Sequence, residues 1–314
     1  MVEEVLDIAI VGGGPAGLTA GIYASRARME AVLLDKQNPG GAPMLTDRIE
    51  NYPGFPDGIT GFELMDRMTR QAERFELRVM PFNPLNSLRE EGEEKVLETE
   101  KGEIRAYAVV LATGMRPASL GVPGEQEFQG RGVSYCATCD GAFFKDAVVA
   151  VVGGGDSAVE EALFLTRFAR KVIIIHRRDR LRAGKILQER ILADPKVEVK
   201  WNKVVRKIKG DEKVSGMILG DVDDDDDEDI GVDGIFLYVG NLPNTEAVRG
   251  KVELDEKGFI LTDRSLRTSM KGVFAAGDVR SGSVWQVAAA VGDGVRAELA
   301  AQFHVEDLKG TAYV

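Results

Sequence analysis

Apolar side chains dominate residues 5–11, and the run stops at Gly12-Gly13-Gly14, which predicts a short buried strand ending in a tight turn. Residues 16–26 are rich in small and apolar side chains and predict a helix, and 31–34 predict a second strand. The same order returns downstream. Residues 147–152 predict a strand, Gly153-Gly154-Gly155 a turn, 157–168 a helix and 172–175 a strand. The chain therefore carries two βαβ units.

Each half ends alike. Strand-like 108–111 leads into Ala112-Thr113-Gly114, and strand-like 234–238 leads into Val239-Gly240. The segment Gly272-Val273-Phe274-Ala275-Ala276-Gly277-Asp278 looks like a partner of the first unit although it follows the second. The expected organisation is a discontinuous domain, 1–116 with 247–314, into which 117–246 is inserted. The crossings fall near 115–122 and 241–248, where Pro117, Pro123 and Pro243 stand beside glycines.

At 314 residues with 44% hydrophobic content, the chain is long enough for two cores. Its longest apolar stretches, 147–152 and 172–175, are far shorter than the roughly 20 residues a membrane-spanning helix needs. Residues 1–7 carry acidic side chains where a signal peptide carries basic ones, so a cytoplasmic location is expected. Forty basic against 51 acidic residues leave a formal charge of −11, and a field of that sign repels nucleic acid. The acidic run 223–229 lies between strand-like 214–219 and 234–238 and reads as a solvated hairpin loop. It lacks the spaced ligands and mid-loop glycine of a calcium site.

Gly12-Gly13-Gly14-Pro15-Ala16-Gly17 fits the dinucleotide fingerprint, in which glycines allow a tight turn and bring a helix N-terminus to a pyrophosphate. It follows a strand, opens a helix, and is succeeded by Asp35 at the end of the next strand, where a carboxylate can accept from a ribose hydroxyl. Gly153-Gly154-Gly155-Asp156-Ser157-Ala158 is a second fingerprint. Beyond its second strand the acid expected for NAD is replaced by His176-Arg177-Arg178 and Arg182. Guanidinium groups grip a 2′-phosphate, so NADPH is the expected dinucleotide. The fold class expected is α/β, with two Rossmann-like (FAD/NAD(P)-binding) domains, the second inserted in the first.

The only two cysteines, Cys136 and Cys139, are spaced for a short redox disulfide that exchanges electrons through thiolate attack. Asp140 follows directly and is placed to give or take a proton. A zinc site needs four ligands, and the chain offers no third cysteine and only His176 and His304, so no metal is expected.

With both fingerprints, Cys136-Ala137-Thr138-Cys139-Asp140-Gly141, His176-Arg177-Arg178 and 272–278 in this order, the chain resembles low-molecular-weight thioredoxin reductases over nearly its whole length. The resemblance implies FAD in the outer domain, NADPH in the inserted one, a homodimer, and a domain rotation about the crossings. Carried over residue by residue, it puts Gly12, Gly14, Pro15, Ala16, Gly17, Asp35 and Lys36 on the adenosine diphosphate part of FAD and Asp278 with Gly277 on its middle. Gly40, Gly41, Ala42, Asn51, Ala112, Thr113, Gly114, Trp285, Gln286 and Val287 lie near the same cofactor. Gly153, Gly155, Asp156, Ser157 and Ala158 hold the NADPH pyrophosphate, with His176, Arg177, Arg178 and Arg182 around the 2′-phosphate. Cys139 meets the flavin, Cys136 attacks the disulfide of thioredoxin or a thioredoxin-like protein, and Asp140 is the acid.

Two segments depart from the family. Gly40-Gly41-Ala42-Pro43 stands where a Gly-Gly-Gln segment is usual, and Trp285-Gln286-Val287 where Arg-Gln is usual. Three other functions compete with the thioredoxin reading. The same relay could serve a glutaredoxin-like protein or a peroxidase component. A ferredoxin:NADP reductase would keep its activity in Cys136→Ser, and a non-enzymatic nucleotide-binding module would show no turnover.

Overall fold

The computed structural model describes residues 5–222 and 226–312. The chain divides into two compact units, 1–116 with 242–314, and 117–241. The first crossing falls at 116/117. The return crossing falls at 241/242, and Asn244 is tied to the first unit. Its N–H donates to the Gly114 carbonyl at 3.0 Å and its Nδ2 to the Thr113 carbonyl at 2.8 Å.

In the first unit, β1 (Leu6–Val11) leads through the glycine turn to α1 (Pro15–Arg26) and β2 (Ala31–Leu34). Then come α2 (Gly61–Arg74), β3 (Arg78–Met80), β4 (Leu85–Glu91), β5 (Glu94–Thr99) and β6 (Gly102–Leu111). Helix α2 starts where the Thr60 side chain accepts the Glu63 N–H at 3.1 Å, an N-cap of the usual kind. The strands order as β3-β2-β1-β6-β5-β4, parallel from β3 to β6 and antiparallel beyond. Residues 102–106, not anticipated as strand, are extended because they pair with β5.

A short strand β7 (Met115–Pro117) spans the first crossing, followed by β8 (Val133–Ser134), the four-residue helix α3 (Ala137–Asp140) and β9 (Val148–Gly153). The order continues with α4 (Asp156–Leu165), β10 (Lys171–His176), α5 (Lys185–Ala193) and β11 (Val197–Trp201). Next are β12 (Lys203–Gly210), β13 (Val214–Asp221), β14 (Asp227–Ile230), β15 (Gly234–Tyr238) and β16 (Asn241–Pro243). A parallel sheet β11-β10-β9-β15-β8 carries α4 and α5 on one face and the three-stranded sheet β12-β13-β14 on the other. Beyond the return crossing the first unit adds β17 (Val273–Ala275), which pairs with β6 in parallel, and α6 (Val287–Lys309).

Both parallel sheets are buried on both faces, which accounts for their unbroken apolar strands. Along β1, Ile8 and Ile10 face one core, with residues of α1, α2 and α6, while Ala9 and Val11 face the other. Along β9, Val149 and Val151 pack with Val159 and Ala162 of α4, and Ala150 and Val152 with Val205 and Leu219 of the antiparallel sheet. Burying such an aliphatic side chain contributes about 1.5–3 kcal/mol each.

The acidic run is not one loop. Asp227–Ile230 form β14, antiparallel to β13, with Glu228 paired to Lys200 at 2.6 Å, Asp227 to Arg206 at 3.4 Å and Asp229 to Lys209. Cations from neighbouring strands make the acids tolerable in a ladder; residues 223–225 lie outside the described residues. No described helix is long and apolar enough to cross a membrane.

Candidate active site: two nucleotide turns and a disulfide

Gly14 caps α1 and Pro15 occupies its first turn, where the fixed φ and missing N–H of proline fit. Gly12 has φ of 109°, and a side chain there would collide with the Ala112 carbonyl. A Cβ at Gly17 would run into the Gly12 carbonyl oxygen, so α1 lies directly against the turn. No side chain caps α1, which leaves its first amides to an anion.

Asp35 ends the unit as expected. Its Oδ2 accepts the Gly13 N–H at 2.5 Å and its Oδ1 accepts the Gln37 N–H at 2.7 Å. Burial pushes the carboxyl above its usual value, opposed by those two amides. Lys36 is exposed beside it. The Gly40 N–H donates to the Gly13 carbonyl at 2.8 Å, and Gly41 lies against Gly14. The departure at Ala42-Pro43 forms the start of a short 3-10 turn, Ala42–Leu45, in which proline needs no donor.

Four further segments complete this site. Ala112 continues the β1–β6 ladder, its N–H donating to the Val11 carbonyl at 2.8 Å, and the Thr113 hydroxyl donates to the Asn244 carbonyl at 2.7 Å. Asn51 Nδ2 donates to Gln286 Oε1 at 2.9 Å, and Gln286 caps α6 with Val287 as its first residue. Trp285 has φ of 53° and stacks on Phe259 at 6.0 Å between centroids. That left-handed backbone is uncommon for an aromatic residue. Gly277 and Asp278 sit in a turn held by Asp293, which accepts from Gly277 N–H at 3.2 Å and Arg280 Nε at 2.5 Å.

The Asp278 carboxylate is buried facing the Ser283 hydroxyl, and neither Asp278 Oδ1 nor Ser283 Oγ makes a well-aligned hydrogen bond within the protein. Burial, reinforced by the nearby Asp293 carboxylate, pushes Asp278 up to about 6. Buried polar atoms are normally satisfied, so these two fit a ligand rich in hydroxyls and phosphates. With the glycine cradle and Asp35, they suit FAD.

In the inserted unit, Gly155 caps α4 and no atom stands within 4 Å of the position its Cβ would take. Asp156 and Ser157 are exposed in the first turn, and Asp156 Oδ1 accepts the Gly184 N–H at 2.6 Å. Gly153 and buried Ala158 abut. Arg177, Arg178 and Arg182 are exposed and, among the described residues, have no carboxylate partner, which suits a phosphate ligand. The Arg182 N–H donates to the Gly154 carbonyl at 2.7 Å, tying this basic loop to the glycine turn. His176 is different. It is 5% exposed, packed against Gly154 and Trp201, with Nε2 3.0 Å from the Arg180 carbonyl, and burial pulls its pKa down. The structure places it beneath the loop as a neutral support.

Cys136 and Cys139 are joined in a disulfide at the start of α3. Cys139 is exposed and Cys136 half-buried. Cys136 Sγ accepts the Cys139 N–H at 3.2 Å and lies 3.4 Å from Thr138 Oγ1. Ser134 Oγ accepts the Cys136 N–H at 3.0 Å, and the Tyr238 phenol oxygen accepts the Ala137 N–H at 2.9 Å. Asp140 closes the helix turn through its N–H to the Cys136 carbonyl at 3.2 Å.

Residues 6–294 match the family of pyridine nucleotide-disulphide oxidoreductases. The chain belongs to that family. It is 46% identical to a thioredoxin reductase of Listeria monocytogenes, covering 98% of this chain and 96% of that one. Identity is 44% with a thioredoxin reductase of Peptoclostridium acidaminophilum, over 97% of this chain and 98% of that one. The crystal structure of Lactococcus lactis thioredoxin reductase superposes with a TM-score of 0.94 at 42% identity, covering 96% of this chain and 99% of that one. FAD and NADPH are the cofactors of this oxidoreductase.

Sequence reasoning missed Ser134, Tyr238, Ser283 and Asp293. None belongs to a short motif. Tyr238 stands 101 positions from the amide it binds, so no local signal could have found it.

Proposed function

We propose that this oxidoreductase is a cytoplasmic, homodimeric thioredoxin reductase that uses NADPH, with Cys136 as the group attacking the disulfide of thioredoxin and Cys139 as the one facing the flavin. The observation that carries this reading is the Cys136–Cys139 disulfide, built into the unit that also carries the basic NADPH loop. Bound FAD supplies the means of passing two electrons from NADPH to a disulfide.

The chain's own groups account for the rest. On accepting two electrons, the Cys136–Cys139 bond opens to two thiolates, of which Cys139 takes a proton from Asp140. The Cys139 N–H, 3.2 Å from Cys136 Sγ, favours charge on Cys136 over the neutral thiol. That thiolate attacks one sulfur of the partner disulfide and expels the other as a thiolate. Asp140 takes that proton back as Cys139 attacks Cys136 in the mixed disulfide, which releases the partner as a dithiolate that solvent protonates and restores the ring. Asp140, one residue beyond Cys139, exchanges the proton with solvent between cycles.

Anaerobic titration with NADPH, followed by oxidised thioredoxin, tests the scheme. The flavin bleaches with NADPH and regains its yellow colour in proportion to thioredoxin added. In Cys136→Ser the first change persists and the second is lost. Reoxidation by thioredoxin without Cys136 would sink the proposal.

A further inference from the structure

Tyr238 lies at the end of β15, and its phenol reaches the redox helix on the same unit. The phenol oxygen accepts the N–H of Ala137, the first residue of α3, at 2.9 Å. Ala137 is completely buried, so water cannot replace that acceptor. Two ionisable groups face the phenol: Glu161 of α4, which also hydrogen-bonds it, and Asp140 of α3. Burial together with these carboxylates pushes the phenol well above its usual value, so it stays protonated and neutral at every pH the enzyme meets.

We propose that Tyr238 is a positioning residue for the dithiol: by holding the first amide of α3 it keeps the Cys139 N–H aimed at Cys136 Sγ and so sets the reactivity of Cys136. The inference rests on the reading of Cys136 as nucleophile, and deepens it. A four-residue helix has too few internal bonds to hold its own first turn, because ordering one turn costs more than a single bond returns. Around Cys136 the tertiary structure supplies the missing restraints from both sides, with Ser134 on the Cys136 N–H and Tyr238 on the next amide. Without the phenol oxygen the turn loosens, the Cys139 N–H drifts from the sulfur, and the thiolate loses a hydrogen bond that the thiol does not need.

The test measures thiol chemistry without thioredoxin, so its outcome is separate from the identity of the partner. In FAD-loaded Cys139→Ser protein, Cys136 is the only thiol, and its alkylation by iodoacetamide is followed against pH. Adding Tyr238→Phe, which keeps the ring and removes only the oxygen, should raise the midpoint by about half a unit to one unit. Below the midpoint, alkylation then slows about threefold to tenfold. Glu161→Gln removes an anion but keeps a side-chain oxygen that can accept the phenol O–H, and by charge alone it lowers the midpoint or leaves it unmoved, so it separates the Ala137 hydrogen bond from electrostatics. FAD content and bleaching by NADPH report whether each variant is folded. An unmoved or lowered midpoint in Tyr238→Phe overturns the proposal, as does an equal upward shift in Glu161→Gln. Loss of folding without a midpoint change assigns Tyr238 to stability alone and overturns it too.

Discussion

The amide of Gly13 donates to Oδ2 of Asp35 across 2.5 Å, so the turn after β1 and the end of β2 form one rigid cradle. Asp35 binds a second amide, from Gln37, and a neutral apolar residue would leave both donors without a partner. Asp35→Ala should weaken FAD binding about 10- to 100-fold, from the loss of charge-assisted hydrogen bonds worth about 1.5–3 kcal/mol. Flavin release on dilution and ultrafiltration measures it, and retention equal to the parent protein would show that Asp35 does not organise the cradle.

Gly17 tests the same cradle sterically. A methyl group there meets the Gly12 carbonyl, and neither backbone can yield without moving α1. Gly17→Ala should cost about 1–3 kcal/mol of stability and lower the FAD content of purified protein. Thermal unfolding in excess FAD separates the two effects.

Arg177, Arg178 and Arg182 have no carboxylate partner among the described residues. Replacing Arg178 by Ala should raise KM for NADPH about tenfold or more while leaving KM for NADH nearly unchanged, because only the former carries the 2′-phosphate. Steady-state kinetics with both dinucleotides at two salt concentrations decide it. Equal losses for both would place the arginine elsewhere than on that phosphate.

Glu298 on α6 is fully buried, and neither of its oxygens has a partner. Burial, with the Glu306 carboxylate adding to it, pushes the group up to about 7. A folded-state pKa raised above the usual carboxylate value favours folding below about pH 4.5, and that contribution is lost as pH rises through about 7. Glu298→Gln should therefore melt close to the parent protein in acid and be the more stable of the two by at least about 1 kcal/mol above pH 7. Paired melting curves from pH 4.5 to 8 follow the crossover, and a difference that does not change with pH would refute it.

The first βαβ unit was legible because its signals are local: an apolar run, three glycines and a helix of small residues lie within one stretch of chain. The Cys136–Cys139 pair was legible for the same reason. Residues 227–229 were misread as loop because their acidity is a local property, whereas the cations that draw them into β14 come from β11 and β12. Asn244 lies in a stretch that reads as a crossing, and only its bonds to Thr113 and Gly114 show that it is tied into the first unit. His176 reads as part of a basic cluster, yet its ring is buried beneath the loop that the cluster forms.

Spacing and residue type alone determined where two nucleotide turns and a redox pair occur, since strand, turn and helix propensities act over a few neighbouring residues. Folding decided which polar atoms are buried, which backbone groups are answered and by whom: Tyr238 on the Ala137 amide, Asn244 on the Thr113 carbonyl, and Asp278 buried with one oxygen lacking a well-aligned hydrogen bond. These depend on distance in space between residues remote along the chain, and only the closed core brings such groups within hydrogen-bonding reach.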